Sequence, residues 1–200
     1  MKDLYLMRHG QTFFNQEGLV QGVCDSPLTE LGQDQARQAG AYLKERGIRF
    51  GPLYSSTQER ASDTLELVSG RTDYTRLKGI KEWNFGLFEA QPERLQPKFR
   101  PGATSFEDLF VPYGGEGVNQ VGERVLVTLT EVMEQAGAEP VLAVSHGGAM
   151  WAFYLKIAAQ ALDPKVRFGN CAICHYRYEQ GHFRLAEVID PLTGSVYVCE

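Results

Sequence analysis

Apolar residues occur along the chain in short runs separated by segments of helical periodicity. Three runs flanked by polar or turn residues predict buried strands at 4–7, 52–55 and 141–144. Apolar positions repeated every three to four residues predict helices at 29–46, 57–68, 118–137 and 149–162. Near the end of the chain, alternating residues predict a terminal strand pair at about 172–178 and 183–188.

Strands that alternate with helices predict an α/β fold. Crossover helices imply parallel strand pairing with helices on both faces of the sheet, so we expect a three-layer α/β/α domain with a mostly parallel central sheet. The 200 residues suit one domain spanning 1–200. Between about 82 and 117 the chain carries four prolines and several glycines, which predicts an irregular, lid-like insertion.

Two predicted strands end in a histidine followed by glycine. His9 and Gly10 follow the first strand, and His146 and Gly147 follow the strand at 141–144. Ligands of parallel α/β sheets bind beyond the carboxyl ends of the strands. If these two strands are neighbours, both imidazoles face one cleft, and the small glycines let a ligand approach the backbone.

The charge balance limits the partners of this chain. Twenty basic and twenty-five acidic residues give a net charge of −5, which argues against a nucleic-acid or anionic-membrane surface. A small basic pocket remains compatible with that sum. Arg8 lies beside His9, and Arg60 lies in the first turn of a predicted helix. Together with the two imidazoles, these guanidiniums would form a receptor for a dianion such as phosphate.

No long apolar segment marks the chain for export or a membrane. The apolar run at 4–7 is interrupted by Arg8 and His9 before it reaches the length of a signal peptide. The four cysteines are unevenly spaced and suggest no disulfide framework. We therefore expect a cytoplasmic protein that is a monomer or a homodimer. Cys171 and Cys174 have metal-ligand spacing, but on a strand they would point to opposite faces, which favours packed thiols.

Glu82 is open to two interpretations. It is a carboxylate in an irregular segment, and spacing alone favours a surface position. The alternative is a proton donor beside the cleft.

Five blocks, in order along the chain, resemble the histidine phosphatase superfamily in its phosphoglycerate-mutase-like branch. The first contains Arg8-His9-Gly10 and runs to Asn15, and the second contains Gln21-Gly22. The remaining blocks contain Arg60, Glu82 to Glu89, and Ser145-His146-Gly147-Gly148. Because a lone Arg-His-Gly tripeptide is common, the ordered set carries the resemblance.

The resemblance implies a covalent mechanism without metal or cofactor. His9 would attack phosphorus through a neutral ring nitrogen and form a phosphohistidine, while Arg8, Arg60 and His146 would hold the phosphoryl oxygens. Glu82 would protonate the leaving oxygen and then serve as base toward water. The implied contacts to a small phosphorylated metabolite are Arg8, Asn15, Gln21, Gly22, Arg60, Glu82, His146 and Gly147.

Three functions are compatible with these blocks. In this superfamily, mutases that use a bisphosphate cofactor typically share two features. One is an Arg-His-Tyr-type sequence directly after the acid glutamate, and the other is a pair of arginines further along the chain. Here Trp83-Asn84-Phe85-Gly86 follows, without paired arginines before Gly117, which favours a phosphatase over a cofactor-dependent mutase. A non-catalytic module that binds phosphorylated ligands is a third possibility. The presence of the implied nucleophile, phosphate-binding residues and acid argues against it.

Two differences from the family pattern and one cluster of aromatic residues bear on the choice of substrate. The family commonly has Glu-Gly where this chain has Glu89-Ala90. It often has Gly-Glu-Ser where this chain has Gly115-Glu116-Gly117. Aromatic residues, among them Phe99 and Phe106, are concentrated in the irregular segment. They either cover the core or form an apolar lid that selects an organic leaving group.

Overall fold

A computed structural model describes residues 1–158, 162–163 and 166–199 of the chain. The strands are β1 (Lys2–Arg8), β2 (Leu53–Ser56), β3 (Thr75–Leu77), β4 (Val141–Ser145), β5 (Ile173–Glu179), β6 (His182–Asp190) and β7 (Ser195–Val198). The α-helices are α1 (Phe13–Glu17), α2 (Glu30–Glu45), α3 (Glu59–Ser69), α4 (Val118–Gln135) and α5 (Gly147–Ile157).

The strands form one sheet in the order β3-β2-β4-β1-β5-β6-β7. The first four are mutually parallel, whereas β5, β6 and β7 extend the sheet by antiparallel pairing. Helices connect the parallel strands along the chain, whereas α5 lies between β4 and β5, and β5 pairs antiparallel with β1. A tight turn at Gln180 and Gly181, both with positive φ, then joins β5 to the antiparallel β6. The predicted α/β fold is confirmed, with a sheet that is mixed.

Both faces of the sheet are buried at its central strands, as a three-layer arrangement requires. Along β1 the side chains alternate, so that Leu4 and Leu6 belong to one apolar cluster and Tyr5 and Met7 to the other. Helices α4 and α5 supply the first cluster, and α2 and α3 supply the second. The α/β/α layering expected from the sequence therefore holds.

The predicted elements coincide with observed ones, apart from their ends. The helix expected at 149–162 begins at Gly147 and ends at Ile157, and positions 159–161 of that prediction lie outside the described residues. Three short elements escaped prediction, namely α1, β3 and β7. β7 is exposed along its whole length and therefore carries no apolar alternation. Between 82 and 117 only short 3-10 helices occur, at Gly86–Phe88, Glu93–Leu95 and Val111–Tyr113.

None of the helices in the described part of the chain is both long enough and apolar enough to cross a bilayer.

The topology determines where the site lies. β4 and β1 are adjacent and parallel at the centre of the sheet, with Arg8 opposite Ser145. Their carboxyl ends thus lie side by side, and the next residue on each is a histidine.

Candidate active site

The two histidines meet, because the two strands that they follow are neighbours, as the prediction required. The ring centroids of His9 and His146 are 5.2 Å apart, and the planes are tilted by 58°. His9 is 3% exposed and His146 is fully buried. Two buried imidazoles at the ends of adjacent parallel strands form the centre of the candidate site.

Hydrogen bonds determine which nitrogen of His9 carries the proton. Nδ1 lies 2.7 Å from the carbonyl oxygen of Gly10, which can only accept, so Nδ1 is the protonated atom. The Nε–H of Arg60 points at Nε2 of His9 from 3.3 Å. Because a guanidinium only donates, Nε2 carries a lone pair. The ring is therefore neutral, with a nucleophilic nitrogen directed into the site.

The surroundings keep both imidazoles neutral. The pKa of His9 lies well below the usual value, first because burial penalises the charged ring and then because Arg60 and Arg8 repel a further positive charge. The pKa of His146 is lowered in the same direction by burial, Arg60 and His9.

These lowered pKa values predict that stability falls in mild acid. In the unfolded chain both rings take up protons as the pH drops through about 6.5, whereas the folded rings do not, so the free energy of unfolding decreases. Each ring contributes a slope approaching about 1.4 kcal/mol per pH unit. Urea denaturation from about pH 7 to pH 5.5 should give His9→Ala a slope smaller than wild type by about that amount. Equal slopes would contradict the assignment of a neutral buried His9.

Arg60 is held from several sides in the first turn of α3. It is fully buried, and its Nη1 forms a 2.8 Å ion pair with Asp25 Oδ1. Nη1 also donates to the carbonyl of Cys24 at 3.0 Å, and Nη2 donates to that of Gly22 at 3.0 Å. These acceptors fix the plane of the guanidinium, which leaves Nε facing His9.

Two buried polar atoms around His9 have no partner among the described residues. They are Nε of Arg8 and Nδ1 of His146. Their side chains are otherwise anchored: Arg8 Nη1 donates to Phe168 O at 2.7 Å, and His146 Nε2 lies 2.8 Å from Ser56 Oγ. An unsatisfied buried donor costs free energy, so Nε of Arg8 fits a bound anion. Nδ1 of His146 fits one as well in the tautomer whose Nε2 accepts from the Ser56 hydroxyl.

Because Gly147 has no side chain, it leaves room beside the Arg8 guanidinium. A Cβ at this position would lie only 3.3 Å from Nε of Arg8. Since α5 begins at Gly147, the positive end of its dipole also faces the site.

Glu82 is buried within the site, which rules out the surface interpretation that spacing favoured. It is 6% exposed, and its Oε1 accepts the backbone N–H groups of Trp83 and Ala149, each at 2.7 Å. Oε2 accepts from Gly148 N at 3.0 Å. The carboxylate therefore caps the N-terminus of α5, and Oε2 carries only this one backbone bond.

The remaining residues predicted to contact the substrate differ in whether their polar groups already have partners within the protein. Asn15 and Gln21 line the cleft, although Oε1 of Gln21 accepts from the Thr12 hydroxyl at 2.7 Å. The backbone of Gly22 is already occupied, with its N–H on Glu89 and its carbonyl on Gln58 and Arg60. A substrate contact at Gly22 stays a prediction, and its observed role is to orient Arg60.

Three residues that organise the site were missed by sequence reasoning. The Glu89 carboxylate accepts the N–H groups of residues 22, 23, 24 and 85 at 2.9–3.1 Å and so fixes the loop that holds Arg60. Gln58 joins this loop to the acid, since it donates to Gly22 O and accepts from Glu82 N. Ser56 holds His146 from the end of β2. Only Ser56 carried a signal, namely its position at the end of a central strand.

The two departures from the family pattern have local consequences. Ala90 stands where the family commonly has glycine, yet its φ is +60, in the region that favours glycine. Gly117 is the N-cap of α4 and offers no side-chain acceptor to the helix. Neither residue lines the cleft, so both departures leave the site intact.

The cysteine pair is buried on opposite sides of the sheet. Cys174 packs in the cluster under α4 and α5, whereas Cys171 packs in the cluster under α2 and α3. Both thiols are free, and burial raises the pKa of Cys171 to about 12. The interpretation as packed thiols is confirmed.

A cleft of about 480 Å³ opens beside His9. Its inner part is polar and is formed by Arg8, His9, Glu82, Gly147 and Gly148. Five aromatic rings also line it, those of Phe85, Phe99, Phe106, Trp151 and Phe168. Phe99 is 47% exposed, so this apolar part reaches the rim. The cleft can thus hold a group with an anionic end and an apolar end.

Known proteins with similar sequences and structures include phosphatases and a mutase. The chain is 30% identical to the probable phosphoglycerate mutase GpmB of Salmonella paratyphi B, over 98% of this chain and 94% of the relative. It is 29% identical to a metal-independent phosphoserine phosphatase of Arabidopsis thaliana, over 88% of this chain and 76% of the relative.

The fold is also found among solved structures. The H9A mutant of a phosphoserine phosphatase from Entamoeba histolytica, solved in complex with phosphoserine, superposes with a TM-score of 0.77 and 25% identity, covering 94% of this chain and 96% of the other. The model of the histidine phosphatase superfamily (branch 1) matches residues 4–191, and the chain belongs to that superfamily.

Proposed function

We propose that this protein is a phosphatase that hydrolyses small phosphate monoesters through a phosphohistidine on His9. The observation that carries the proposal is the lone pair on Nε2 of a buried, neutral His9, faced by Arg60 and flanked by two unpartnered polar atoms. A nucleophile beside positions suited to an anion is the arrangement that phosphoryl transfer needs.

In the first step, Nε2 of His9 attacks phosphorus in line with the ester oxygen. The N–P bond forms as the P–O bond breaks, and the leaving oxygen takes a proton from the Glu82 carboxyl group. Oε2 of Glu82 suits this transfer because only one backbone N–H occupies it. Arg8, Arg60 and His146 stabilise the charge on the phosphoryl oxygens, at sites already oriented in the free protein.

In the second step, water replaces the alcohol. The Glu82 carboxylate accepts a proton from water, whose oxygen attacks phosphorus while the N–P bond breaks. Inorganic phosphate leaves, His9 regains its lone pair, and Glu82 is protonated for the next cycle. Because each group returns to its starting state, the cycle requires only ester and water.

A mutase is the second candidate, favoured by the similarity to a probable phosphoglycerate mutase. A bisphosphorylated intermediate needs cations for its second phosphate. Among the described residues that line the cleft, the cations are Arg8 and Arg167, and Glu93 adds an opposing charge. Arg100, in the irregular segment, is paired with Glu107. This balance favours hydrolysis over phosphoryl exchange.

The two candidates differ in the product that accumulates. With 3-phosphoglycerate and p-nitrophenyl phosphate as probes, we expect stoichiometric release of inorganic phosphate from at least the nitrophenyl ester. Isomerisation to 2-phosphoglycerate that is stimulated by bisphosphoglycerate, with little phosphate released, would identify a mutase. Tight binding of esters without turnover would contradict both and identify a non-catalytic module.

A further inference from the structure

The aromatic part of the cleft has no task in the transfer of the phosphoryl group. The polar atoms proposed to bind phosphate all lie around His9. The cleft volume of about 480 Å³, however, falls in the ~300–1,000 Å³ range of pockets that enclose organic ligands. Most of this space is therefore available to the alcohol portion of the ester.

The five aromatic residues that line the cleft form an aromatic wall, and contacts within the irregular segment hold part of this wall in place. Phe106 packs edge-on against the buried Phe110 with ring centroids 4.8 Å apart. Phe99 packs against Phe106 in turn, at 4.6 Å and 88°. This chain of contacts ties a half-exposed ring at the rim to the core, so the wall does not have to be assembled when a ligand binds.

The lining residues contributed by α5 are fixed as well. The indole Nε1–H of Trp151, on α5, donates to the carbonyl of Thr104 at 2.8 Å and so joins the helix to the irregular segment. The Trp151 ring also contacts that of Phe168, with centroids 5.7 Å apart. Since Phe168 O accepts from Arg8, the apolar wall and the phosphate end are joined through one residue.

From this geometry we infer that the preferred substrates are phosphate monoesters of apolar alcohols, with an alkyl chain or ring that extends from His9 to Phe99. The inference rests on the proposed function, since it names the alcohol that leaves in the first step. An apolar chain would cover the exposed part of Phe99 and gain free energy as water leaves both surfaces. A short or charged alcohol would gain little at this wall.

A series of alkyl phosphates tests the inference without changing the chemistry. Ethyl, butyl and hexyl alcohols leave with nearly equal intrinsic ease, so differences in kcat/KM report contacts in the cleft. We expect kcat/KM to rise roughly two- to fourfold per methylene, as burial of each methylene predicts. Phe99→Ala should flatten this gradient, because the longer alkyl chains lose the ring that they would cover.

Leu87→Ala is the matched control. Leu87 lies in the same irregular segment, is 78% exposed, and is outside the cleft, so its loss should leave the gradient unchanged. Equal kcat/KM for ethyl and hexyl phosphate, with hydrolysis intact, would overturn the inference alone. Failure to release phosphate from every ester, including p-nitrophenyl phosphate, would overturn the proposed function together with it.

Discussion

Replacement of His9 by alanine is expected to remove essentially all phosphatase activity. The substitution deletes the atom that forms the bond to phosphorus, and none of the other described residues that line the cleft is a histidine, cysteine or serine. Loss of the residue that carries a covalent intermediate typically lowers kcat by about 10⁴-fold or more. The measurement is release of inorganic phosphate from p-nitrophenyl phosphate at saturating substrate, with circular dichroism to show that the variant is folded.

His182→Ala is the matched control for this variant. His182 is exposed at the start of β6 and takes no part in the cleft, so it should retain the wild-type rate. Comparable turnover by His9→Ala and His182→Ala would show that phosphorus is attacked by another group, and the proposed mechanism would fail.

Glu82→Gln should have the next largest effect, and its size should depend on the leaving group. An alkyl alcohol leaves poorly without a proton, so its hydrolysis should slow by about 10²–10⁴-fold, the usual contribution of general acid catalysis. Nitrophenolate leaves readily as an anion, so the first step with p-nitrophenyl phosphate should slow much less. Single-turnover rates of phosphoenzyme formation measure this step apart from hydrolysis.

Glu131→Gln provides the same chemical change at an exposed position on α4. Its rates with both classes of ester should match those of wild type. If Glu82→Gln slows alkyl and nitrophenyl esters by the same factor, Glu82 acts by positioning the N-terminus of α5 rather than by donating a proton. That result would require a different acid for the first step.

The sequence was most informative where periodicity and strand ends coincide. The runs at 4–7 and 141–144 correspond to β1 and β4, and the pattern placed His9 and His146 at the carboxyl ends of these strands. That the two strands are neighbours was a condition of the prediction, and the structure supplies it. Arg60 was placed correctly for a similar reason, since it lies in the first turn of α3. Chemistry at the ends of regular elements is therefore open to prediction.

Loop geometry was beyond such reasoning. The contacts of Glu82 with α5 join residues 66 and 67 positions apart, and those of Glu89 with the loop around Gly22 join residues up to 67 positions apart. Neither follows a helical or strand period, so neither leaves a local signal. Glu82 could be assigned to the site only through resemblance to the superfamily, and Glu89 and Gln58 only through the structure.

The central claim, a covalent intermediate on His9, is tested most directly by trapping it. Wild-type protein mixed with p-nitrophenyl phosphate and quenched in alkali within one turnover should gain the mass of one phosphoryl group. Peptide mapping should locate it on His9, and brief acid treatment should remove it, as expected for a phosphorus–nitrogen bond. Turnover at the normal rate with no adduct at any quench time, or an acid-stable adduct on another residue, would contradict the mechanism.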